Sequence, residues 1–189
     1  PRAVRFPVRE RADLAALRHL LAEPHPDDVA TYRQRAVQAQ AVAEELHLLL
    51  TGGMGVGMDA AAWLCGQQQL VFLAHDHPAL VEELAEIIHE WNAARMREVL
   101  AGGVDLFVRR GWYEGTDFWS PPMYRRFILP WLTREVDMAH QAGARFGYIN
   151  TSGTMGILPM VLEAGVDVLI GVDPVQGVGT DMGRMRATV

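Results

Sequence analysis

Apolar residues follow two alternating patterns along the chain, one with the spacing of a helix and one with the short continuous run of a buried strand. Leu14, Leu17 and Leu21 recur at helical spacing within a helical lead-in over residues 1–45. Over residues 46–189, short apolar runs alternate with longer helical segments. The pattern predicts a single domain in which strand–helix units repeat after the lead-in.

Four short apolar runs predict buried strands. They lie at residues 47–51, 104–108, 146–149 and 166–170. The phrase Gly-Val-Asp followed by apolar residues occurs at Gly103 and again at Gly165, each time where a helix ends and a strand begins. Buried strands that alternate with helices indicate a parallel sheet with helical crossovers. Because a complete (β/α)8 barrel needs about 250 residues, four strands fit either half of such a barrel or a small doubly wound sheet.

Capping residues and prolines predict where the intervening helices begin and break. Asp76 is the expected N-cap of one helix, with Pro78 near its first position, and Ser120 before a proline repeats this signal. Pro130 lies inside the second of these helices and is expected to kink or divide it. The run His75-Asp76-His77 imitates a metal-binding pair of histidines, but capping by Asp76 explains it, and we predict no metal site.

Composition narrows the class of protein. Half of the 189 residues are hydrophobic and 21% are charged, which is typical of a globular chain and not of a disordered one. The net charge is −6 and no Lys or Arg cluster occurs, so a nucleic-acid partner is not expected. No apolar run approaches the roughly 18 residues of a membrane span. The single cysteine, Cys65, cannot form a disulfide within the chain, and we expect a cytoplasmic protein.

The two ends of the chain carry an expectation about its extent. The chain begins at Pro1 without an initiator Met, and it stops at Val189, shortly after another helical pattern starts at Met182. We therefore expect a piece of a longer chain. Because four strands leave two unpaired sheet edges, which proteins normally protect, we also expect self-association into a homo-oligomer.

The loop after the second predicted strand is the richest in chemistry. Residues 109–117 hold two Arg, a Trp, a Tyr and two carboxylates, and functional groups of α/β proteins gather at the carboxyl ends of strands. Arg can hold a carboxylate through two hydrogen bonds, aromatic rings can pack on a flat ligand, and a partly buried acid can transfer protons. The candidate catalytic residues are Tyr113, Glu114 and Asn150. The candidate substrate-binding residues are Arg109, Arg110, Trp112, Asp117, Ser152, Asp173, Gly53 and Met54.

Alternative interpretations of these segments remain open. In residues 109–117 the Arg and acidic side chains can instead pair with one another while the aromatic rings complete the core. The glycine cluster at 52–57 is predicted to form a flexible turn that lines a ligand pocket. Its second half also fits the relaxed dinucleotide pattern Gly-x-Gly-x-x-Ala, but the helix that can follow, at about 58–65, is short for one that crosses a sheet.

Several motifs from Ala101 onward occur in the order and spacing of a known family. They are Gly103-Val104-Asp105, Ser120-Pro121-Pro122-Met123-Tyr124-Arg125-Arg126-Phe127-Ile128-Leu129-Pro130, Ala142-Gly143 and Glu163-Ala164-Gly165-Val166-Asp167-Val168-Leu169. Across roughly residues 46–174 the chain resembles the uroporphyrinogen decarboxylase superfamily. The resemblance implies a partial (β/α)8 TIM-type barrel, of which this chain holds the middle, with the site at the carboxyl ends of the strands. The superfamily includes the decarboxylase of haem synthesis and methyltransferases that pass methyl groups between corrinoid proteins and thiols.

Departures from the family's motifs change the expected activity. Zinc-dependent methyltransferases of the superfamily have His-x-Cys where this chain has Asn150-Thr151-Ser152, and amide and hydroxyl groups are poor zinc ligands beside imidazole and thiolate. The decarboxylase has a Tyr in the helix that matches residues 60–66, where this chain has Ala60-Ala61-Ala62-Trp63. Residues 109–117 also replace an acidic loop that is common in the family. The resemblance therefore implies a divergent relative with an altered substrate.

Three functions are expected, in order of preference. The first is a decarboxylase-like enzyme, a carboxy-lyase, which needs no cofactor. Its small-molecule substrate is carboxylated, with a tetrapyrrole among the candidates, and is held by Arg109 or Arg110. The second is a corrinoid-dependent methyltransferase that lacks the usual zinc ligands and works with a partner protein. The third is a non-catalytic binding module.

Overall fold

One parallel sheet with helical crossovers organises the chain. The structure is a computed structural model that describes residues 5–175 and 180–188, apart from the side chain of Met54. The strands are β1 (Thr51–Val56), β2 (Leu106–Arg110), β3 (Arg145–Ile149) and β4 (Val168–Ile170). The helices are α1 (Asp13–Leu20), α2 (Pro26–Leu46), α3 (Met58–Cys65), α4 (Gln67–Asp76), α5 (Pro78–Ala101), α6 (Pro121–Phe127), α7 (Leu129–Gln141), α8 (Leu158–Glu163) and α9 (Met182–Thr188). The strands lie in the order β1-β2-β3-β4 and all pairs are parallel, which confirms the predicted α/β class.

The sheet has one covered face and one open face, because successive side chains of a strand point to opposite sides. Phe107 and Arg109 of β2 lie beside Phe146 and Tyr148 of β3, and these four side chains are buried on the side of helices α5 and α7. The open face carries the partly exposed side chains of Val108, Arg110, Ile149 and Ile170. In a (β/α)8 barrel the helix-free face lines the interior, and ligands bind at the carboxyl ends of the strands.

The Gly-Val-Asp phrase has the same structural role before β2 and before β4. Each glycine adopts a positive φ angle after a helix, 72° in the first copy and 81° in the second, which glycine reaches without strain. The Asp105 carboxylate then accepts the Leu50 N–H at 2.8 Å, and the Asp167 carboxylate accepts the Phe146 N–H at 2.8 Å. Each aspartate therefore ties its own strand to the start of the neighbouring strand.

The first strand differs from the prediction. The predicted strand at 47–51 is wrong, because β1 consists of the glycine cluster itself, and the predicted ligand-lining turn at 52–57 is wrong for the same reason. Gly53 has a φ of 96° at a bulge between Gly53 and Gly55. A Cβ added at Gly53 would lie 2.7 Å from the Phe107 ring, so the missing side chain lets the two strands approach. Leu48 and Leu49 before β1 stay exposed instead of forming a buried strand, and Leu50 is partly buried.

The helix boundaries confirm some signals and correct others. Asp76 is the last residue of α4, and His77 is the N-cap of α5, so the predicted capping role of Asp76 is wrong. The capping signal at 76–78 marks the break between two helices, because Pro78 lacks the N–H that would continue the first one. Pro130 divides its helix as predicted, with Ile128 between α6 and α7.

Replacing Asp167 with Asn should destabilise the fold. Burial by itself raises the pKa of Asp167, but hydrogen bonds from His140, the Phe146 N–H and Arg145 outweigh it and lower that pKa below the ordinary 3.8. A carboxyl with a lowered folded-state pKa stabilises the fold above its unfolded pKa and loses this contribution as the pH falls through the folded value. We expect Asp167→Asn to lower the free energy of unfolding by about 1–2 kcal/mol at pH 7, measured by urea denaturation.

The control is Asp137→Asn, because Asp137 is an exposed acid on α7, the helix that also carries His140. This variant should leave the free energy of unfolding unchanged within error at pH 7. The deficit of Asp167→Asn should shrink in acid, at pH values below 3.8, where the wild-type carboxyl also becomes neutral. Equal stability of the two variants at pH 7 would refute the role of Asp167.

Candidate functional site

An arginine in contact with two tryptophan rings lies at the carboxyl edge of the sheet. The Arg110 Cζ lies 4.4 Å from the ring centroid of Trp63 on α3 and 4.7 Å from that of Trp112, two residues after the end of β2. Both indoles are about half exposed, at 49% and 45%, whereas the Arg110 side chain is 17% exposed. These three residues form a feature that we call the Trp–Arg–Trp slot. Its guanidinium is recessed and its aromatic walls reach solvent.

Asp59 at the start of α3 holds the slot in place. Its Oδ2 accepts a hydrogen bond from Arg110 Nε at 3.2 Å and one from the Trp112 N–H at 3.3 Å, while Oδ1 accepts the Tyr113 N–H at 2.8 Å. Asp59 is fully buried. Burial and the negative charge of Glu114 raise its pKa, and the two backbone N–H groups and Arg110 oppose that rise. Asp59 therefore acts by positioning Arg110 and the loop after β2.

Arg110 donates to Asp59 through its Nε. In the part of the chain that the structure describes, the two terminal nitrogens of Arg110 make no hydrogen bond. A guanidinium held in this way offers a flat, two-pronged donor that matches the geometry of a carboxylate. The slot can therefore bind an anion without breaking a bond of the folded protein.

A second charged cluster lies on the covered face of the sheet. Arg109 Nη2 donates to Glu114 Oε1 at 2.7 Å, and Arg109 Nη1 donates to Glu135 Oε2 at 3.1 Å. The Tyr148 hydroxyl donates to Glu114 Oε2 at 2.6 Å. All four side chains are buried. We call these four residues the buried network.

The electrostatics of the buried network keep Arg109 charged and the Tyr148 phenol protonated. Burial by itself lowers the pKa of Arg109, but the charges of Glu114 and Glu135 outweigh it and hold that pKa above its ordinary value. Burial and the charge of Glu114 raise the pKa of Tyr148 well above its ordinary value, so the phenol keeps the proton that it donates. The buried network therefore combines a cation, two acids and a neutral phenol.

Glu114 and Asp59 tie the loop after β2 to α3 in both directions. Glu114 Oε1 accepts the Met58 N–H at 2.7 Å and so caps the first residue of α3 with a negative charge. Asp59, the next residue of α3, accepts two N–H groups from the loop that carries Glu114. Gly57 comes directly before α3, and a Cβ added to it would collide with the side chains of Arg109 and Glu114. The glycine is therefore required for the approach of the helix to the loop.

The structure separates the candidate residues of the loop after β2. Arg110 and Trp112 form the slot, whereas Arg109 and Glu114 lie in the buried network on the other side of the sheet. Tyr113 is partly buried and packs edge-to-face on Phe118 with ring centroids 5.4 Å apart. Asp117 is exposed. Arg110 is thus the cation on the open face of the sheet, and the alternative interpretation, that an Arg and an acid pair in the core, describes Arg109 and Glu114.

The candidates on the other strand ends are placed as follows. Asn150 is fully buried, with its amide nitrogen donating to the Gly111 carbonyl at 3.2 Å and its amide oxygen accepting the Thr154 hydroxyl at 2.7 Å. Ser152 and Asp173 are partly buried after β3 and β4. Gly53 lies within β1 against Phe107. The side chain of Met54 lies outside the described residues.

The residues at the zinc position of the related methyltransferases do not fit zinc. Both polar atoms of the Asn150 amide are engaged in hydrogen bonds that join the ends of β2 and β3. Ser152 presents a hydroxyl where a thiolate would be needed. No group of three His, Cys, Asp or Glu side chains arranged to hold a metal occurs among the described residues. The residues at this position therefore do not supply a zinc site.

Three important residues are missing from the candidates of the sequence analysis, namely Asp59, Trp63 and Glu135. Asp59 is the lone charge in the apolar segment 58–65, which is a signal of a buried, paired acid. Glu135 lies three residues after Leu132 on α7 and shares its buried side, which is the same kind of signal. Trp63 carries no signal beyond its size, because only the tertiary fold brings it to Arg110.

Neutralising Glu114 should cost far more than neutralising an exposed acid. Glu114→Gln keeps the shape but removes the charge that pairs with Arg109, and breaking a buried ion pair costs about 3–5 kcal/mol of unfolding free energy. The matched control is Glu82→Gln, which removes half of the exposed ion pair of Glu82 with Arg126, at 2.7 Å. Urea denaturation of both variants measures the difference. Similar losses in the two variants would contradict the role of the buried network.

A search of solved structures finds the same architecture in a longer enzyme. A methyltransferase from Methanosarcina mazei superposes with a TM-score of 0.60 at 17% sequence identity, over 69% of this chain and 39% of that chain. This likeness shows the fold, a partial TIM-type barrel. The chain spans about two-fifths of the length of that structure.

Sequence comparisons complete the picture. No curated protein sequence gives a significant match. Within the described residues, no helix is both long enough and apolar enough to cross a bilayer. The family model described as uroporphyrinogen decarboxylase (URO-D) matches residues 3–188, nearly the whole chain. The predicted resemblance is thereby confirmed, and the chain belongs to the uroporphyrinogen decarboxylase (URO-D) family.

Proposed function

We propose that the chain supplies the carboxylate-binding part of the active site of a URO-D-like carboxy-lyase. The observation that carries the proposal is the largely buried guanidinium of Arg110. Asp59 binds its Nε, and its two terminal nitrogens make no hydrogen bond within the part of the chain that the structure describes. Its substrate is a carboxylated small molecule, with a carboxylated tetrapyrrole as the first candidate. Neither the family match nor the shared fold distinguishes this activity from methyl transfer.

Arg110, and not Arg109, is the substrate ligand in this proposal. Arg110 lies on the open face of the sheet, which corresponds to the barrel interior, and at the carboxyl edge, where barrel enzymes bind ligands. Arg109 is buried and its two terminal nitrogens are bound by Glu114 and Glu135. A ligand could reach Arg109 only by displacing buried acids, which would leave their charges unpaired.

The proposed reaction needs no cofactor. The bond between the substrate carbon and its carboxyl carbon breaks, CO2 leaves, and the electron pair moves into a substrate ring that has first been protonated. The carbon that lost CO2 then takes up a proton from the solvent or the protein, and the ring gives back the proton that it had gained, so that overall one proton replaces the carboxyl group. Arg110 binds a carboxylate of the substrate, Asp59 fixes the direction of the guanidinium, and Tyr113 is the proposed group for proton transfer. Glu114 and Asn150 position this loop through buried hydrogen bonds.

The binding partners predicted from sequence stay part of the proposal. A small-molecule substrate and self-association of the chain are expected, and a cytoplasmic location remains a prediction. Titrations with a porphyrin and with a corrinoid distinguish the proposed function from a corrinoid-dependent methyltransferase and from a non-catalytic binding module.

Titration of the 189-residue chain with a carboxylated porphyrin, followed by absorption, tests the proposal. We expect a saturable spectral shift that Arg110→Ala weakens at least about tenfold, because a charge-assisted hydrogen bond contributes about 1.5–3 kcal/mol. Arg110→Lys should recover only part of the affinity, since an ammonium cannot form the two-pronged pair. Arg126→Ala is the matched control, because Arg126 is exposed and pairs with Glu82 instead of standing in the slot.

A parallel titration with a corrinoid distinguishes the alternatives. Saturation with the corrinoid alone would replace the proposal by methyl transfer. Porphyrin binding that is identical in wild type and Arg110→Ala would remove Arg110 from the site. If the chain binds the porphyrin but releases no CO2 from a carboxylated tetrapyrrole, its function is that of a non-catalytic binding module.

A further inference from the structure

We infer that Asn92 on α5 is a positioning residue of the carboxylate site, because it fixes the end of β1 against which Arg110 is placed. The inference rests on the proposed function, since it assumes that Arg110 binds a carboxylate, and it adds to that site a residue from outside the loop after β2. It concerns how the guanidinium is held and is independent of which reaction follows.

Asn92 is a polar residue on the buried side of an otherwise apolar helix face. It is 5% exposed, and the other buried residues of α5, from Leu80 to Leu100, are all apolar. Burying an amide without hydrogen-bond partners costs free energy, whereas a leucine of similar size has no such cost. The amide is therefore stable at this place only through the hydrogen bonds that it makes.

Both polar atoms of the Asn92 amide are bonded to one residue, Val56 at the end of β1. The amide nitrogen donates to the Val56 carbonyl, and the amide oxygen accepts the Val56 N–H at 3.5 Å. The side chain thus offers the strand end a donor and an acceptor, as the backbone of a neighbouring strand would. Aspartate in its charged form lacks the donor and leucine lacks both groups, so asparagine meets this requirement by its chemistry.

Val56 is joined to Arg110 in two ways. Within the sheet, Val56 of β1 lies in register with Arg110 of β2. Along the chain, Val56 is followed by Gly57 and then by α3, whose second residue, Asp59, binds the Arg110 Nε at 3.2 Å. A shift of Val56 would therefore move both the strand partner and the ion partner of Arg110.

Two anchors hold the start of α3, and they come from different segments. Glu114, in the loop after β2, accepts the Met58 N–H at 2.7 Å. Asn92 holds Val56 from α5, a helix of 24 residues that packs against β1. The Glu114 anchor moves with the loop that carries the site, whereas Asn92 fixes the site relative to the covered face of the sheet. A guanidinium held in a defined place loses little entropy when it binds a ligand.

A small cavity beside Asn92 makes a mild variant available. Asn92 lines this cavity together with His89, Arg109 and Glu135. In Asn92→Ser the shorter side chain enlarges the cavity, so that a water molecule can bridge to the Val56 backbone. This variant should keep the fold while it replaces a direct contact by a looser one.

A double-mutant cycle tests the inference, with absorption titration of the 189-residue chain by the carboxylated porphyrin as its readout. We expect Asn92→Leu to weaken binding at least about fivefold, because a displaced guanidinium loses part of its charge-assisted hydrogen bonds to the ligand. In the Arg110→Ala background the same substitution should change the affinity by less than about twofold, since the group that Asn92 positions is gone. Asn92→Ser should weaken binding about threefold in the wild-type background and not in the Arg110→Ala background.

Asp167→Asn is the matched control. It also removes hydrogen bonds between a side chain and a strand backbone, but near the amino end of β3, at the edge of the sheet opposite to Arg110. It should lower the urea midpoint and leave the affinity of the folded chain unchanged. The urea midpoint of every variant separates a general loss of stability from a displacement of Arg110. If Asn92→Leu does not unfold cooperatively, Asn92→Ser takes its place in the cycle.

The outcomes separate the inference from the proposed function. Wild-type affinity in the Asn92 variants, or a loss no larger than that in Asp167→Asn, would overturn the inference and leave the Arg110 site intact. Equal losses in the wild-type and Arg110→Ala backgrounds would show that Asn92 acts independently of Arg110 and would overturn its positioning role. Failure of the wild-type chain to bind the porphyrin, or binding that Arg110→Ala does not change, would overturn the proposed function together with the inference.

Discussion

The reciprocal tie between α3 and the loop after β2 is the constraint on which the site depends. Glu114 in the loop caps the first N–H of α3, and Asp59 in α3 accepts two N–H groups of the loop. Both carboxylates are buried, and a buried charge without partners costs several kcal/mol. Each acid is therefore stable only while the helix and the loop stay together, which makes the two segments a single rigid unit at the edge of the sheet.

This rigid unit explains why two neighbouring arginines have different roles. Side chains alternate across a strand, so Arg109 points to the helices and Arg110 to the open face. Arg109 neutralises Glu114 and Glu135 and stabilises the covered side. Arg110 is held by the second acid of the tie and keeps its terminal nitrogens for a ligand in our proposal. Structure and recognition are thus divided between the two faces of one strand.

The sequence pattern predicts most of the elements and misses where the first strand lies. Apolar runs and Pro130 correctly predict a parallel sheet with a divided helix before β3. The run 47–51 fails because continuous apolar residues indicate burial but cannot show which segment pairs with β2. The glycine cluster pairs instead, since its missing side chains allow a close approach to Phe107 at the bulge. That contact joins residues more than fifty positions apart, so no local pattern reports it.

The sequence by itself determined the α/β class and the family, because periodicity and motif order are local properties of the chain. The tertiary structure alone decided which charges are buried and which reach the open face of the sheet. Trp63 meets Arg110, and Glu135 meets Arg109, across different elements. The role of a charged side chain depends on its partners and its burial, and both arise only when distant segments pack together.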